Sequence, residues 1–435
     1  MRENSDTTLK RVVSTPLLYW FIVGDILGAG VYVLIGEVAG SSGGAVWLPL
    51  VIALVLAALT ACSYAELATK YPRAGGAAHY ARHAFGPFAG FAVGFCMLAA
   101  GIVSVAALAR GFAGDYLGEF VRLPVPLVAA VFLVVLGSVN ARGIKESLRA
   151  NVVATLIEVG GLVLVVVLGV WVIMRGDADV ARLGEIGVAG EDAAGGVLGA
   201  VVLAFYSFVG FETSVNLAEE IRDPRRSYPR ALLAALGTAG VIYLLVGIVA
   251  ATTVPTSQLA SSSGPLLEVV RVAGAVPLWV FSLIALVAVA NGALLTGIMS
   301  SRLAYGMARD DMLPGVLTRL LPRRRTPWVS IAATTALAVV LALTGTVAVL
   351  ASTLVLLLLI VFLAVNIAVV VLRRREPDGD YFRVPLVIPV LGAGSCVLLF
   401  TQVEGGVWLR GLVLLAAGVL LGLVAAYRTR STADV

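Results

Sequence analysis

Charged residues are scarce in this sequence of 435 residues. Asp, Glu, Lys and Arg make up 13 % of it, hydrophobic residues make up 60 %, and the mean hydropathy is +1.00. An average soluble domain has about 25 % charged residues. A water-soluble globule could not bury so much apolar surface, so the composition excludes a soluble protein. We expect an all-α polytopic membrane protein, because helices satisfy their own backbone hydrogen bonds in lipid.

Cysteine and histidine are nearly absent, which limits the chemistry available to the protein. The three cysteines stand apart inside apolar runs, and there are only two histidines. The sequence has neither a CxxC pair nor a P-loop. We therefore predict no metal, no cofactor and no disulfide framework, and we expect that the protein is not an enzyme.

Twelve apolar runs are long enough to cross a bilayer, which takes about 20 residues per helix. These predicted spans 1 to 12 lie at about residues 16–40, 45–70, 86–114, 124–141, 150–174, 195–220, 231–253, 275–305, 328–345, 347–372, 385–402 and 407–427. The segments between them are short, so a second, soluble domain has no room.

The basic residues predict an orientation in the membrane. If both termini lie in the cytoplasm, 25 of the 31 Lys and Arg residues fall on the cytoplasmic side. That bias is the one that the positive-inside rule describes. We predict a multi-pass protein of the plasma (inner) membrane with both termini cytoplasmic. The basic runs lie in short loops beside the membrane and face lipid head groups, so we expect no nucleic-acid partner.

Spans 1 and 6 carry glycines at mid-membrane. Span 1 contains Gly24, Gly28 and Gly30, and span 6 contains Gly210 followed by Glu212. Glycine weakens a helix interior, and broken helices five spans apart are typical of inverted-repeat transporters that bind substrate at the breaks. The alternative is that the glycines only allow close helix packing.

Several motifs resemble the amino acid–polyamine–organocation (APC) permease superfamily, and in particular its branch related to cationic amino acid transporters. They follow the family order from about residue 15 to residue 390. They are the span 1 glycines, Tyr64–Tyr80, Phe208–Glu212, Glu219–Arg230, Ser301–Asp310 and Leu313–Pro314.

The resemblance implies a LeuT-like fold of two inverted five-helix repeats, with helices 1 and 6 broken at mid-membrane, plus two C-terminal helices. On this view the chain divides into a cytoplasmic tail (1–15), a first repeat (16–174), a second repeat (195–372), helices 11 and 12 (385–427) and a second tail (428–435). It also implies alternating access and an amino-acid or amine substrate.

The family pattern also implies a substrate site at the two breaks. Backbone N–H groups of Gly28, Ala29 and Gly30 would bind the substrate carboxylate, as the N-terminus of a half-helix can. Carbonyls of Ile26, Tyr206 and Val209 would hold the amine. Tyr206 and Phe208 would pack over the substrate beside Gly210, although ordinary core packing is the alternative for both rings.

Three carboxylates fall inside apolar spans, where a charge costs at least about 2.5–3.5 kcal/mol. We expect protonation of these carboxylates to couple transport to protons, with Glu212 as the main candidate, Asp25 as the next and Glu158 in a supporting role. At residue 158 the related branch has a lysine in place of a sodium ion. Sodium held near Ile26, Ser300 and Ser301 and uncoupled exchange are the alternatives. We expect Glu66 to form a structural ion pair with Lys70.

These features together predict a secondary amino-acid transporter. A polyamine or amine transporter, an uncoupled exchanger and a non-transporting nutrient sensor are the alternatives. Membrane lipid is the expected environment, and the sequence leaves monomer and dimer open.

Overall fold

The structure is a computed structural model that describes residues 13–28, 30–72, 75–143, 148–187, 192–322, 324–375 and 380–433. Across these ranges the chain is helical, and its β contacts are two isolated bridges. The prediction of an all-helical protein is confirmed for the part described.

Seventeen α-helices follow one another in these ranges, and we number them in chain order. They are α1 (Thr15–Ile26), α2 (Gly30–Ser42), α3 (Trp47–Lys70), α4 (Gly76–Phe85), α5 (Pro87–Phe112), α6 (Asp115–Gly118), α7 (Val125–Arg142), α8 (Leu148–Arg175), α9 (Ala193–Ser207), α10 (Pro224–Thr253), α11 (Thr256–Ser261), α12 (Pro265–Ala273), α13 (Leu278–Arg309), α14 (Trp328–Thr344), α15 (Val347–Arg375), α16 (Val387–Phe400) and α17 (Gly405–Ala433). Short 3-10 helices lie at Val180–Gly184, Phe211–Glu220 and Gly315–Thr318.

Nine helices in the described ranges are long and apolar enough to cross a membrane, and the bent pair α1–α2 makes a tenth candidate. Two more apolar helices are shorter, α14 with 17 residues and α16 with 14. They lie at predicted spans 9 and 11. The multi-pass architecture is therefore confirmed, while the count of twelve spans stays a prediction.

Helix packing repeats itself with an offset of five predicted spans. The α1 helix packs against α8 and α10, as α9 packs against α15 and α3. The α8 helix packs against α10 and α13, as α15 packs against α3 and α5. The pair α5–α7 likewise has its counterpart in α13–α14.

Glu66, at the end of α3, joins three parts of the chain. Its two carboxylate oxygens accept hydrogen bonds from the Arg373 guanidinium on α15, and one also accepts the backbone N–H of Val384 at 3.1 Å. Lys70 donates to the carbonyl of Leu372 at 3.0 Å. The ion pair of Glu66 therefore reaches 307 residues along the chain, and the expectation that Lys70 is its partner is wrong.

Candidate functional site

The chain is interrupted at both glycine-containing spans. In span 1, α1 ends at Ile26 and α2 begins at Gly30 with its axis turned by 44°. In span 6, α9 ends at Ser207 and gives way to the 3-10 helix Phe211–Glu220. Ala29, one of the predicted substrate contacts, lies outside the described residues.

The two breaks touch at Gly210. Its φ angle is +128°, and a Cβ there would lie 2.5 Å from the carbonyl oxygen of Asp25 and 3.2 Å from the amide nitrogen of Ile26. Only glycine suits both the angle and the close approach. The Thr213 hydroxyl also donates to the Asp25 carboxylate, so Asp25 joins span 1 to span 6.

Glu212 stabilises the second break from within. Its carboxylate accepts the backbone N–H of Gly210 at 2.9 Å, and the residue is buried. The amides of Phe208 and Val209 donate to the carbonyls of Phe205 and Tyr206 at 3.1 and 3.0 Å. The span 6 break therefore satisfies these amides internally.

Two of the carbonyls predicted to hold a substrate amine already accept a donor. The Tyr243 hydroxyl on α10 donates to the carbonyl of Ile26 at 2.5 Å, and the Val209 amide donates to that of Tyr206. A carbonyl oxygen has two lone pairs, so each can still accept a second donor. The tyrosine thus orients the Ile26 carbonyl without removing it from the site.

The three glycines of span 1 differ in their surroundings. A Cβ at Gly24 would overlap the side chain of Thr155 on α8, so Gly24 allows close helix packing. A Cβ at Gly28 would meet only Asp25 and Gly24 backbone oxygens, at 3.5 and 3.7 Å. Gly28 therefore leaves room beside the break.

Gly30 lies against the aromatic side of the site. A Cβ there would come within 3.3 Å of the Tyr206 ring and 3.2 Å of the Ser207 Cα. The Tyr206 hydroxyl is 3.2 Å from that of Ser104 on α5. Tyr206 therefore spans the gap between α2 and α5.

Phe208 contacts another ring. It meets Tyr243 edge to face, with ring centroids 5.3 Å apart, and it is buried.

Glu158 on α8 is buried and only half satisfied. One carboxylate oxygen accepts the side-chain amide of Asn291 on α13 at 3.0 Å. The other, Oε2, has no hydrogen-bond partner within the described ranges, and the residue is 1 % exposed. Helix α8 packs against α1, where Thr155 meets Gly24. Glu158 therefore lies on a helix that packs against the one carrying Asp25.

Ser300 and Ser301 contact α5 and α7. The Ser300 hydroxyl bonds to the carbonyl of Thr296 and lies against Gly101 on α5. The Ser301 hydroxyl accepts the side-chain amide of Asn140 on α7 at 3.1 Å. The described contacts therefore do not bring either serine to Ile26, and the sodium site stays a prediction. Among the described residues no three His, Cys, Asp or Glu side chains form a group able to hold a metal.

Sequence reasoning missed four polar partners in the site. Asn291 is the one with a sequence signal, because it is a lone amide inside an apolar run. The other three depend on tertiary packing. They are Ser104, Thr213 and Tyr243.

Comparison with known proteins identifies relatives along most of the chain. A methylthioribose transporter of Bacillus subtilis is 25 % identical over 443 residues, covering 96 % of this chain and 94 % of the relative. A branched-chain amino acid permease of the same species is 27 % identical over 447 residues, covering 96 % and 93 %. The vacuolar cationic amino acid transporter 4 of Arabidopsis thaliana is 32 % identical over 384 residues, covering 82 % of this chain and 62 % of the relative.

The family comparison covers the whole site. Residues 13–419 match the amino acid permease family, a range that includes both breaks and all three membrane carboxylates. The relatives are transporters, and the chain is accordingly a transporter and not an enzyme. On a match of this extent, the chain belongs to the amino acid permease family.

Proposed function

We propose that the protein is a secondary active transporter that moves amino acids across the plasma membrane by alternating access, coupled to protons. The observation that carries the proposal is the meeting of the two breaks, where the Gly210 backbone lies against Asp25. Helices that touch at their interruptions can reorient about that point, and half-helix ends there suit a zwitterion.

The substrate we favour has both a carboxylate and an amine. The N-terminus of α2 begins at Gly30 beside the space at Gly28, which suits a carboxylate. The carbonyls of Ile26 and Tyr206 and the carboxylate of Asp25 suit an amine. A substrate that is only an amine would use the second set alone, and this is the alternative that the test must separate.

An apolar recess next to Tyr206 is too closed in this structure to hold even a water molecule, so it would have to open before it could accept the substrate side chain. It is lined by Val33, Leu34, Ala107, Leu108, Val347 and Ala351. These residues offer no charge to a substrate. The related permeases are named for branched-chain and cationic amino acids, and this recess favours the former.

The repeated packing supports twelve spans in two inverted five-helix repeats. The pairs α1–α8 and α5–α7 have counterparts five spans later, in α9–α15 and α13–α14. Counting the shorter helices α14 and α16 as spans makes twelve with the bent pair α1–α2. The excess of Lys and Arg then favours the orientation with both termini cytoplasmic.

Proton coupling would use the carboxylates at the breaks. Glu158 has a buried oxygen without a described donor, and Glu212 bonds to the amide of Gly210. A proton on either group would remove a charge that is costly in the membrane. Protonation of Glu212 would also weaken its support of the break, and this links charge to helix geometry.

Uptake into proteoliposomes tests the proposal. We expect an inward proton gradient, without sodium, to drive accumulation of a radiolabelled branched-chain amino acid. The Glu212→Gln variant should bind substrate but lose gradient-driven accumulation, whereas Asp380→Asn, at an exposed ion pair, should match wild type. Accumulation that requires sodium and ignores pH would contradict proton coupling.

The competing functions give different results in the same vesicles. Exchange without accumulation under any gradient would indicate an uncoupled exchanger, and binding without flux would indicate a sensor. Equal affinity for the amine left by decarboxylation of the best amino acid would contradict the carboxylate site and favour an amine transporter.

A further inference from the structure

Three buried tyrosines lie near the span 6 break, towards the end of the molecule where α3 ends at Lys70. Tyr64 on α3, Tyr80 on α4 and Tyr228 on α10 are each fully buried. The Tyr228 hydroxyl is 2.9 Å from that of Ser214, in the 3-10 helix that follows the break. The hydroxyls of Tyr64 and Tyr80 have no hydrogen-bond partner in the part of the chain that the structure describes.

These tyrosines lie beside the 3-10 helix that carries Glu212. The Tyr64 ring packs edge to face against Phe211, the residue next to Glu212, and the Tyr228 hydroxyl lies beside Ser214, two residues beyond Glu212. Helix α4, which carries Tyr80, packs against the same 3-10 helix. The group therefore connects a carboxylate at the break with α4.

The far end of this group approaches the surface. The Tyr80 ring contacts those of Tyr71 and His79, with centroids 6.5 and 6.2 Å apart. Tyr71 in turn contacts His83, which is exposed. On the proposed orientation this end faces the cytoplasm.

Packing alone does not account for the unpaired hydroxyls. The Tyr64 ring packs edge to face against Phe211 and Phe362, with ring centroids 5.8 and 6.0 Å apart. A phenylalanine at this position could make the same ring contacts. A buried hydroxyl without a partner is unfavourable. A role that uses the hydroxyl itself is therefore the better explanation.

We propose that the hydroxyls of Tyr64, Tyr80 and Tyr228, with Ser214, carry protons between Glu212 and the cytoplasmic face. The inference rests on the proposed proton coupling. In each step a hydroxyl oxygen accepts a proton from one side and releases its own proton to the other. One proton leaves the Glu212 carboxyl, one arrives at surface water, and no electrons are transferred. Water bridges the remaining gaps when the cytoplasmic half opens.

Removing the hydroxyls tests the path in proteoliposomes. For Tyr64→Phe and Tyr80→Phe we expect substrate-driven proton movement, followed with a pH-sensitive dye, to be at least tenfold slower. Substrate counterflow at equal pH on both sides should stay within twofold of wild type. Because the deleted hydroxyls have no described partner, the melting temperatures should be equal or higher.

Tyr116→Phe is the matched control. Its hydroxyl is also fully buried, but it donates to the carbonyl of Tyr32 at 2.6 Å on the opposite side of the break. This change should lower the melting temperature and leave proton movement unchanged. Slower proton movement in Tyr116→Phe, as large as in Tyr64→Phe, would overturn the path, because any buried phenol would then suffice.

The remaining outcomes separate the path from the function on which it rests. If wild type moves no protons with substrate, the proposed coupling is wrong, and the path with it. If wild type moves protons, Glu212→Gln does not, and the tyrosine variants match wild type, then the coupling stands and the path alone is wrong.

Discussion

Glu66 and Glu158 are equally buried, each 1 % exposed, yet their surroundings differ. Glu66 faces the Arg373 guanidinium and accepts the Val384 amide, so both of its oxygens are satisfied. Glu158 accepts a single described donor, from Asn291, and no cation pairs with it in the described ranges. The first carboxylate is neutralised by the protein. The second keeps one oxygen without a described hydrogen-bond donor.

The difference separates a carboxylate paired with a cation from one that is free to take a proton in the mechanism that we propose. A buried charge is tolerated when it is paired and hydrogen-bonded, and a paired charge resists change because its partner would be left alone. A half-satisfied carboxylate can accept a proton without breaking any pair. Glu212 is intermediate, since its described partner is a neutral backbone amide.

The largest effect should follow from Glu66→Gln. The change leaves the Arg373 guanidinium, partly buried, without its counter-charge, and we expect a loss of about 3 kcal/mol in the free energy of unfolding. The melting temperature and the monodisperse fraction in detergent measure it. Asp380→Asn breaks the exposed Arg225 pair and should change neither. If the Glu66→Gln protein is as stable as Asp380→Asn, the Glu66–Arg373 ion pair does not stabilise the fold, and the contrast with Glu158 fails.

The next largest effect should follow from a change at Gly210, whose backbone amide is the described hydrogen-bond partner of Glu212. Gly210→Ala adds a Cβ at φ +128° within 2.5 Å of the Asp25 carbonyl oxygen. We expect a loss of about 1–3 kcal/mol and of substrate binding, because the break must shift. On α9, Gly199→Ala has no atom within 4 Å of its new Cβ and should be neutral or mildly stabilising. Similar melting temperatures for the two variants would contradict the close contact between the breaks.

The third effect should appear in substrate affinity and leave the stability of the protein unchanged. Gly28→Ala adds a Cβ that meets only two backbone oxygens, at ordinary van der Waals distance, so the protein should stay folded while its affinity for the amino acid falls at least tenfold. Gly24→Ala, one turn earlier, overlaps Thr155 and should lower the melting temperature by an amount equivalent to about 1–3 kcal/mol. Isothermal titration and thermal melts of both variants measure the contrast. Unchanged affinity in Gly28→Ala would remove Gly28 from the carboxylate site.

The sequence allowed the helical class and the positions of both interruptions to be predicted. Both depend on local features of the chain, namely its apolar runs and its glycines. A bilayer demands apolar helices whatever their neighbours, and glycines at Gly28 and Gly210 weaken a helix wherever it packs. Contacts between distant helices were not predictable in this way. The Arg373 partner of Glu66 lies far along the chain.

Helix rotation was the other gap between sequence and structure. Helix α13 is mostly apolar with scattered polar residues, so its composition does not say which face meets the site. Asn291 faces Glu158, whereas Ser300 and Ser301 face α5 and α7. The predicted sodium ligands therefore lie on a different part of this helix from its described contact with a membrane carboxylate.

The smallest effect on stability should follow from Glu158→Gln, the same change as at Glu66. Glutamine keeps the volume, its carbonyl oxygen can go on accepting the Asn291 amide, and a buried charge without a described cation partner is removed. We expect the melting temperature to change by an amount equivalent to less than about 1 kcal/mol, because no ion pair is broken. The pH dependence of gradient-driven uptake should nevertheless weaken, because one proton-accepting group is gone. Thermal melts and uptake from pH 5 to 8 measure both results. A loss of stability as large as in Glu66→Gln, with an unchanged pH profile, would show that Glu158 only stabilises the fold. The two carboxylates would then differ in their hydrogen-bond partners and not in their role.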